Sequence, residues 1–126
     1  MTQPQLAGYI LDAYGVMPDH PFPMDAVSCV FRHKHNRKWF ALTMNVAFKT
    51  LGIPRDGRTN ILNVKCDPLM AGSLLAQPCF LPAYHMNKGK WITVLLDGST
   101  DREQVMALVD MSYHLTSSPK RRKKNG

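Results

Sequence analysis

Three prolines within six residues, Pro18, Pro21 and Pro23, divide this chain. Proline locks φ and lacks the N–H that a helix interior or a central strand must donate. The segment "VMPDHPFPMD" is therefore expected to be an ordered connection between unlike structures. Before it, Leu6, Ile10, Ala13 and Tyr14 recur on one face of a helix over residues 4–14. Thr2 and Gln5 stand at capping-box spacing, and Gly15 is placed to stop that helix. After it the apolar period drops to two. Residues 27–33 and 38–46 read as strands, with polar "KHNR" as the turn of a β-hairpin.

A loop with Gly52, Pro54 and Gly57 leads to a third strand, "TNILNVKC". In "CDPLMAGSLLAQ" the pattern becomes helical, with Asp67 as N-cap and Pro68 at the first helical position, where a missing N–H costs nothing. "FLPAYHM" and "WITVLL" flank "NKGK" as a second hairpin, both of whose faces read as mostly covered. Thr100 and Glu103 have the spacing of another capping box, and Val105, Leu108, Val109, Ser112 and Leu115 form the apolar stripe of a last helix. The expected fold is α+β, in the order α-β-β-β-α-β-β-α. An antiparallel five-stranded sheet packs against helices in one domain over residues 1–116, followed by a disordered basic tail over 117–126.

Charge is unevenly placed. Residues 1–25 carry Asp12, Asp19 and Asp25 without a lysine or arginine, whereas residues 26–66 carry eight cations against Asp56 alone. The tail adds Lys120, Arg121, Arg122, Lys123 and Lys124, and the whole chain has a formal net charge of +7. Such polarity suits an acidic partner, with nucleic acid as the first candidate. The plainer use of the same cations is to keep exposed turns and sheet edges soluble. No run approaches the roughly 18 apolar residues of a membrane span. Cys29, Cys66 and Cys79 lack the paired spacing of zinc ligands, so they are expected to be buried thiols in a reducing cytoplasm.

"FRHKHNRKWFAL", "ILNVKCDPLMAGSLL", "PAYHMNKGKWITVLLDGS" and "LVDMSYHLT" occur in an order and spacing similar to those of the MmcQ/YjbR family of small bacterial proteins. The resemblance covers residues 8–116. It implies a compact α+β domain similar to CyaY-like and secretion-chaperone folds, and a DNA-binding role of the kind commonly attached to the family.

Two basic hairpins are the candidate interface. One carries Arg32, Lys34, Arg37 and Lys38 beside His33, His35 and Trp39; the other carries His85, Asn87, Lys88 and Lys90 beside Trp91. Lysine and arginine would meet phosphates while aromatics and amides meet bases, and Asn87 could read adenine from a groove. Against this, large aromatics in alternating strands usually pack inward, so Trp39 and Trp91 are expected to close the core. Catalysis is not expected: His85 and Lys88 could handle protons or anions, but no carboxylate lies between Asp67 and Asp97 to orient the imidazole. No metal site or cofactor is expected either, because His33 and His35 sit among cations. The alternative role is a protein-binding or homodimeric module with adaptable methionine surface, eight methionines being present.

Overall fold

The computed structural model describes residues 1–25, 27–87 and 89–117. Among them the chain runs α1 (Gln3–Tyr14), β1 (Cys29–Arg32), β2 (Trp39–Ala47), a 3-10 turn (Phe48–Leu51), β3 (Arg58–Lys65), α2 (Pro68–Leu75), β4 (Phe80–Pro82), β5 (Trp91–Leu95) and α3 (Arg102–Thr116). The strands form one antiparallel sheet in the order β1-β2-β3-β5-β4. This is the expected α+β order.

Local chemistry sets the first two helices. Thr2 accepts from the Gln5 N–H at 3.2 Å while Gln5 Oε1 accepts from the Thr2 N–H at 3.0 Å, the reciprocal pair of a capping box. Gly15 closes α1 in the left-handed region at φ 67°. Asp67 caps α2 by accepting from the Leu69 N–H at 2.9 Å. The third helix departs from expectation. Thr100 is buried and donates to the Leu95 carbonyl at 3.1 Å, leaving Asp101 at the N-cap position of α3 without a side-chain cap. The buried stripe of α3 also ends on Thr116 instead of Leu115, because the step from Ser112 is four residues.

One face of the sheet packs on the helices. Phe31, Ala41, Leu62, Val64, Ile92 and Val94 meet Leu6 and Ile10 of α1, Leu74 of α2 and Val105, Leu108 and Val109 of α3. Burial of a side chain such as Leu6 or Ile10, neither of which is exposed, contributes about 1.5–3 kcal/mol. Cys29, Cys66 and Cys79 belong to this core, and burial pushes the thiols of Cys29 and Cys66 up, away from reactivity.

The opposite face has its own smaller cluster of Val46, Ile61 and Leu95, roofed by Leu51, Ile53, Leu81 and Tyr84 from loops and the edge strand. The proline segment runs beside β1, where Asp19 and Val30 exchange two backbone hydrogen bonds at 2.9 and 2.8 Å. That single bridge covers part of an edge strand that would otherwise present unpaired N–H and C=O groups. No described helix is long and apolar enough to cross a membrane.

Candidate functional site

The register of β1 on β2 slips between Phe31 and Arg32: Phe31 pairs with Ala41, but Arg32 pairs with Trp39. Phe40 is the extra residue of a β-bulge. Both Phe40 and Ala41 consequently enter the helix-side core, and Trp39 is turned to the opposite face. On that face, alternation along β3 places Ile61, Asn63 and Lys65, and alternation along β5 places Trp91, Thr93 and Leu95. Lys65 and Trp91 are direct cross-strand partners. Trp39, Lys65 and Trp91 thus stand side by side at one end of three adjacent strands.

These residues line a groove of about 330 Å³, with Arg37, Lys38, Met86 and Thr116 on its rim. Both tryptophans are half-buried, so the expectation that they close the core is corrected. The bulge explains Trp39, and the direction of β5 from Ile92 and Val94 explains Trp91. The edge of Trp39 is held against Phe22, ring centroids 6.3 Å apart and planes at 88°. Strands β2 and β5 flank β3, which separates their backbones by about 10 Å. The groove is therefore walled by two indoles with a lysine between them, and no acidic side chain is among its described lining residues.

Hydrogen bonds from backbone and side chains fix both turns that reach it. In the first, the His33 N–H donates to the Lys38 carbonyl at 2.9 Å, Asn36 Oδ1 accepts from the Lys38 N–H at 2.9 Å, and Arg37 adopts φ 65°. In the second, the chain leaves the sheet sooner than the simple hairpin expectation, because β4 ends at Pro82. Ala83 is buried and Tyr84 packs on the outer-face cluster. A buried network pins it: Asn63 Nδ2 donates to the Tyr84 carbonyl at 2.9 Å, Thr93 Oγ1 donates to Asn63 Oδ1 at 2.5 Å, and the Tyr84 N–H donates to Thr93 Oγ1 at 2.8 Å. His85 follows in the left-handed region at φ 58°, its ring 4.1 Å from that of Tyr84.

The structure brings some of the anticipated cations together and separates others. Arg37 and Lys38 are exposed at the groove. Arg32 is not a free cation: it is ion-paired with Asp19, and its hydrogen bond holds the Asp19 carboxyl below the usual range. Lys34 reaches back to the end of α1, so close that a Cβ on Gly15 would lie 3.4 Å from its Nζ. Arg32, Lys34 and Arg37 also line a second cleft of about 240 Å³ with Asp19 and His33, and Arg37 belongs to both. His85, Asn87 and Lys90 are exposed on the second loop, where Asn87 Oδ1 accepts from the Gly89 N–H at 2.9 Å. Lys88 and the tail residues Lys120, Arg121, Arg122, Lys123 and Lys124 lie outside the described residues.

The remaining cations of the basic segment are elsewhere. Lys49, paired with Asp56 at 3.0 Å, Arg55, over the Phe48 ring at 4.4 Å, and Arg58, bonded to Asn45, gather at the far end of β2. Nine residues of strand, about 30 Å at a rise of roughly 3.3 Å each, separate the two groups. Lys65, Met86 and Thr116 are groove residues that sequence reasoning did not select; the place of Lys65 beside Trp91 depends on strand register. Among the described residues no group of three or more histidine, cysteine or acidic side chains is arranged to hold a metal ion.

The model of the YjbR family matches residues 11–115. The chain belongs to the YjbR family. It is 34% identical over 116 residues to the uncharacterized protein YyaQ of Bacillus subtilis, covering 92% of this chain and 98% of that one. It is 42% identical over 53 residues to the uncharacterized protein YjbR of Escherichia coli, covering 41% of this chain and 45% of the relative. A crystal structure of a Pseudomonas syringae protein superposes with a TM-score of 0.90 at 39% identity, over 93% of this chain and all of the other. The fold described above is thus that of a solved relative, and this YjbR-family protein carries the groove on it.

Proposed function

We propose that this protein binds nucleic acid, DNA or RNA, at the end of the sheet where the turn of residues 33–38 and the loop segment of residues 83–87 converge. What supports the reading is one observation: two half-exposed indoles flank Lys65 in a groove rimmed by Arg37 and Lys38, with no carboxylate in its described lining. A flat apolar ligand bearing negative charge suits such walls, and a nucleotide has both properties. A cationic ligand would face three positive side chains. The role in this reading is binding, without catalysis or cofactor.

The test is binding of a fluorescent oligonucleotide at several salt concentrations, with the tail cations Lys120, Arg121, Arg122, Lys123 and Lys124 replaced by glutamine to remove their contribution. Affinity should fall with salt. Lys38→Ala and Lys65→Ala should each reduce the slope of log K against log salt by about 0.7–0.9 per lost phosphate contact. Binding that disappears with the tail charges would refute the groove as the interface.

A second reading, a protein-binding or homodimeric module, has one observation in its favour. Helix α2 points Leu69 into solvent, 91% exposed, with Met70 and Leu75 also exposed. Sedimentation across a concentration series would reveal such a dimer, and Leu69→Lys would abolish it.

A further inference from the structure

The geometry points to unpaired nucleotides, rather than duplex, as the ligand of the Trp39–Lys65–Trp91 groove. This inference rests on the nucleic-acid reading above and narrows it to one class of substrate.

The first ground is what the groove offers. Indole faces recognise the π-faces of bases, and in a duplex those faces are covered by neighbouring base pairs, leaving only edges and backbone to a protein. A strand with unstacked bases can lay one base against Trp39 or Trp91 and keep its phosphates on the Arg37, Lys38 and Lys65 side chains. A volume of about 330 Å³ stands at the low end for ligand pockets and suits a single nucleotide. Arg37 and Lys34 also line the adjoining cleft, beside the ion-paired Arg32 and Asp19, so a neighbouring phosphate can meet those two cations there.

The second ground is what the loops cannot do. Reading a major groove with a hairpin needs a two-stranded ribbon that projects from the body. Here β4 ends at Pro82, Ala83 is buried, and Tyr84 is tied down through its carbonyl and N–H to Asn63 and Thr93. Ala83 and Tyr84 are thus held against the sheet, with Met86 at the groove, instead of extending a projecting ribbon. Reading adenine in a duplex needs the Asn87 amide to face a base edge with both its oxygen and its nitrogen, whereas here its oxygen is turned back onto its own loop and accepts the Gly89 N–H at 2.9 Å. The other turn is held equally close to the body, since Asn36 Nδ2 donates to the Thr116 carbonyl at 3.0 Å and His33 is 1% exposed.

The chain has two tryptophans, both in this groove, so intrinsic fluorescence reports on it directly. The full chain is titrated with oligodeoxythymidylate, with oligouridylate, and with a DNA hairpin duplex of equal nucleotide content. The expected result is quenching of tryptophan emission and about tenfold tighter binding to a single strand of either sugar than to the duplex. Trp91→Ala should weaken single-strand binding about tenfold while leaving its salt slope unchanged, and Trp91→Phe should restore part of the affinity. Circular dichroism of the two variants confirms that the fold is intact, and the titration of the unaltered chain needs no variant. Duplex binding at least as tight as single-strand binding, with unchanged tryptophan emission, would overturn this inference and leave nucleic-acid binding standing. Absence of binding to all three probes would overturn both.

Discussion

Thr116 Oγ1 lies 2.8 Å from His33 Nε2 and 2.8 Å from the Ser112 carbonyl, which joins the end of the first strand to the last turn of α3. The hydroxyl has one proton and gives it to the carbonyl, so the imidazole donates Nε2–H to the hydroxyl oxygen. Burial foremost, then the charge of His35, holds its pKa below the ordinary 6.5 against an opposing hydrogen bond with the Tyr113 backbone, with smaller contributions from Lys38 and His114. Below 6.5 the unfolded chain takes up a proton that the folded chain resists. Stability is therefore expected to be complete above that pH and to fall as pH drops through it. Urea midpoints measured from about pH 5 to 7 should show this slope, and His33→Gln should flatten it.

Asn63 is fully buried and serves two partners, the Tyr84 carbonyl and the Thr93 hydroxyl. Asn63→Ala should cost about 2–4 kcal/mol, because it leaves both partners unsatisfied and opens a cavity. Urea unfolding gives the loss, and hydrogen exchange at the Tyr84 amide should accelerate as the loop comes free. A change below half a kcal/mol (~0.5) would mean that water replaces the network.

Two tyrosines of α1 converge on one carboxylate of α3: Tyr9 donates to Asp110 at 2.7 Å, and Tyr14 donates to the same group while stacking on Tyr113 at 3.8 Å. Burial first, then the Asp110 hydrogen bond and charge, raises Tyr9 to about 12 and raises Tyr14 as well. Both therefore ionise late, and the stability they contribute is present below pH 10.0 and lost as pH rises through the folded values. Alkaline titration of tyrosinate absorbance should contain a late phase that Tyr9→Phe and Asp110→Asn each diminish.

Gly15 closes α1 at φ 67° with Lys34 Nζ beside it. Gly15→Ala should destabilise by about 1 kcal/mol, read as a lower thermal midpoint, because a Cβ is strained in the left-handed region. Gly8, inside α1 with open space around it, is the control: Gly8→Ala should stabilise by a few tenths of a kcal/mol to about 1.

Much of this was readable along the chain, for a physical reason that differs from element to element. Thr2 with Gln5 and Asp67 with Pro68 mark helix starts because caps act within four residues. Cys29, Cys66 and Cys79 are buried as their apolar spacing suggests. Thr100 was misread for a tertiary reason: the same hydroxyl that could cap a helix found the Leu95 carbonyl instead. At the site, Arg37 and Lys38 were legible as exposed turn cations, but the pairing of Arg32 with Asp19 spans thirteen residues and the proline segment.

The amino-acid order alone determined where the helices begin, which runs alternate as strands, and that the groove end would be basic. Each of these depends on interactions between near neighbours in the chain. Tertiary structure decided which face Trp39 occupies, which lysine stands beside Trp91, and that Ala83 and Tyr84 lie down on the sheet. A one-residue bulge reverses every side chain beyond it, and cross-strand partners are set by register, so those choices exist only once the strands have paired.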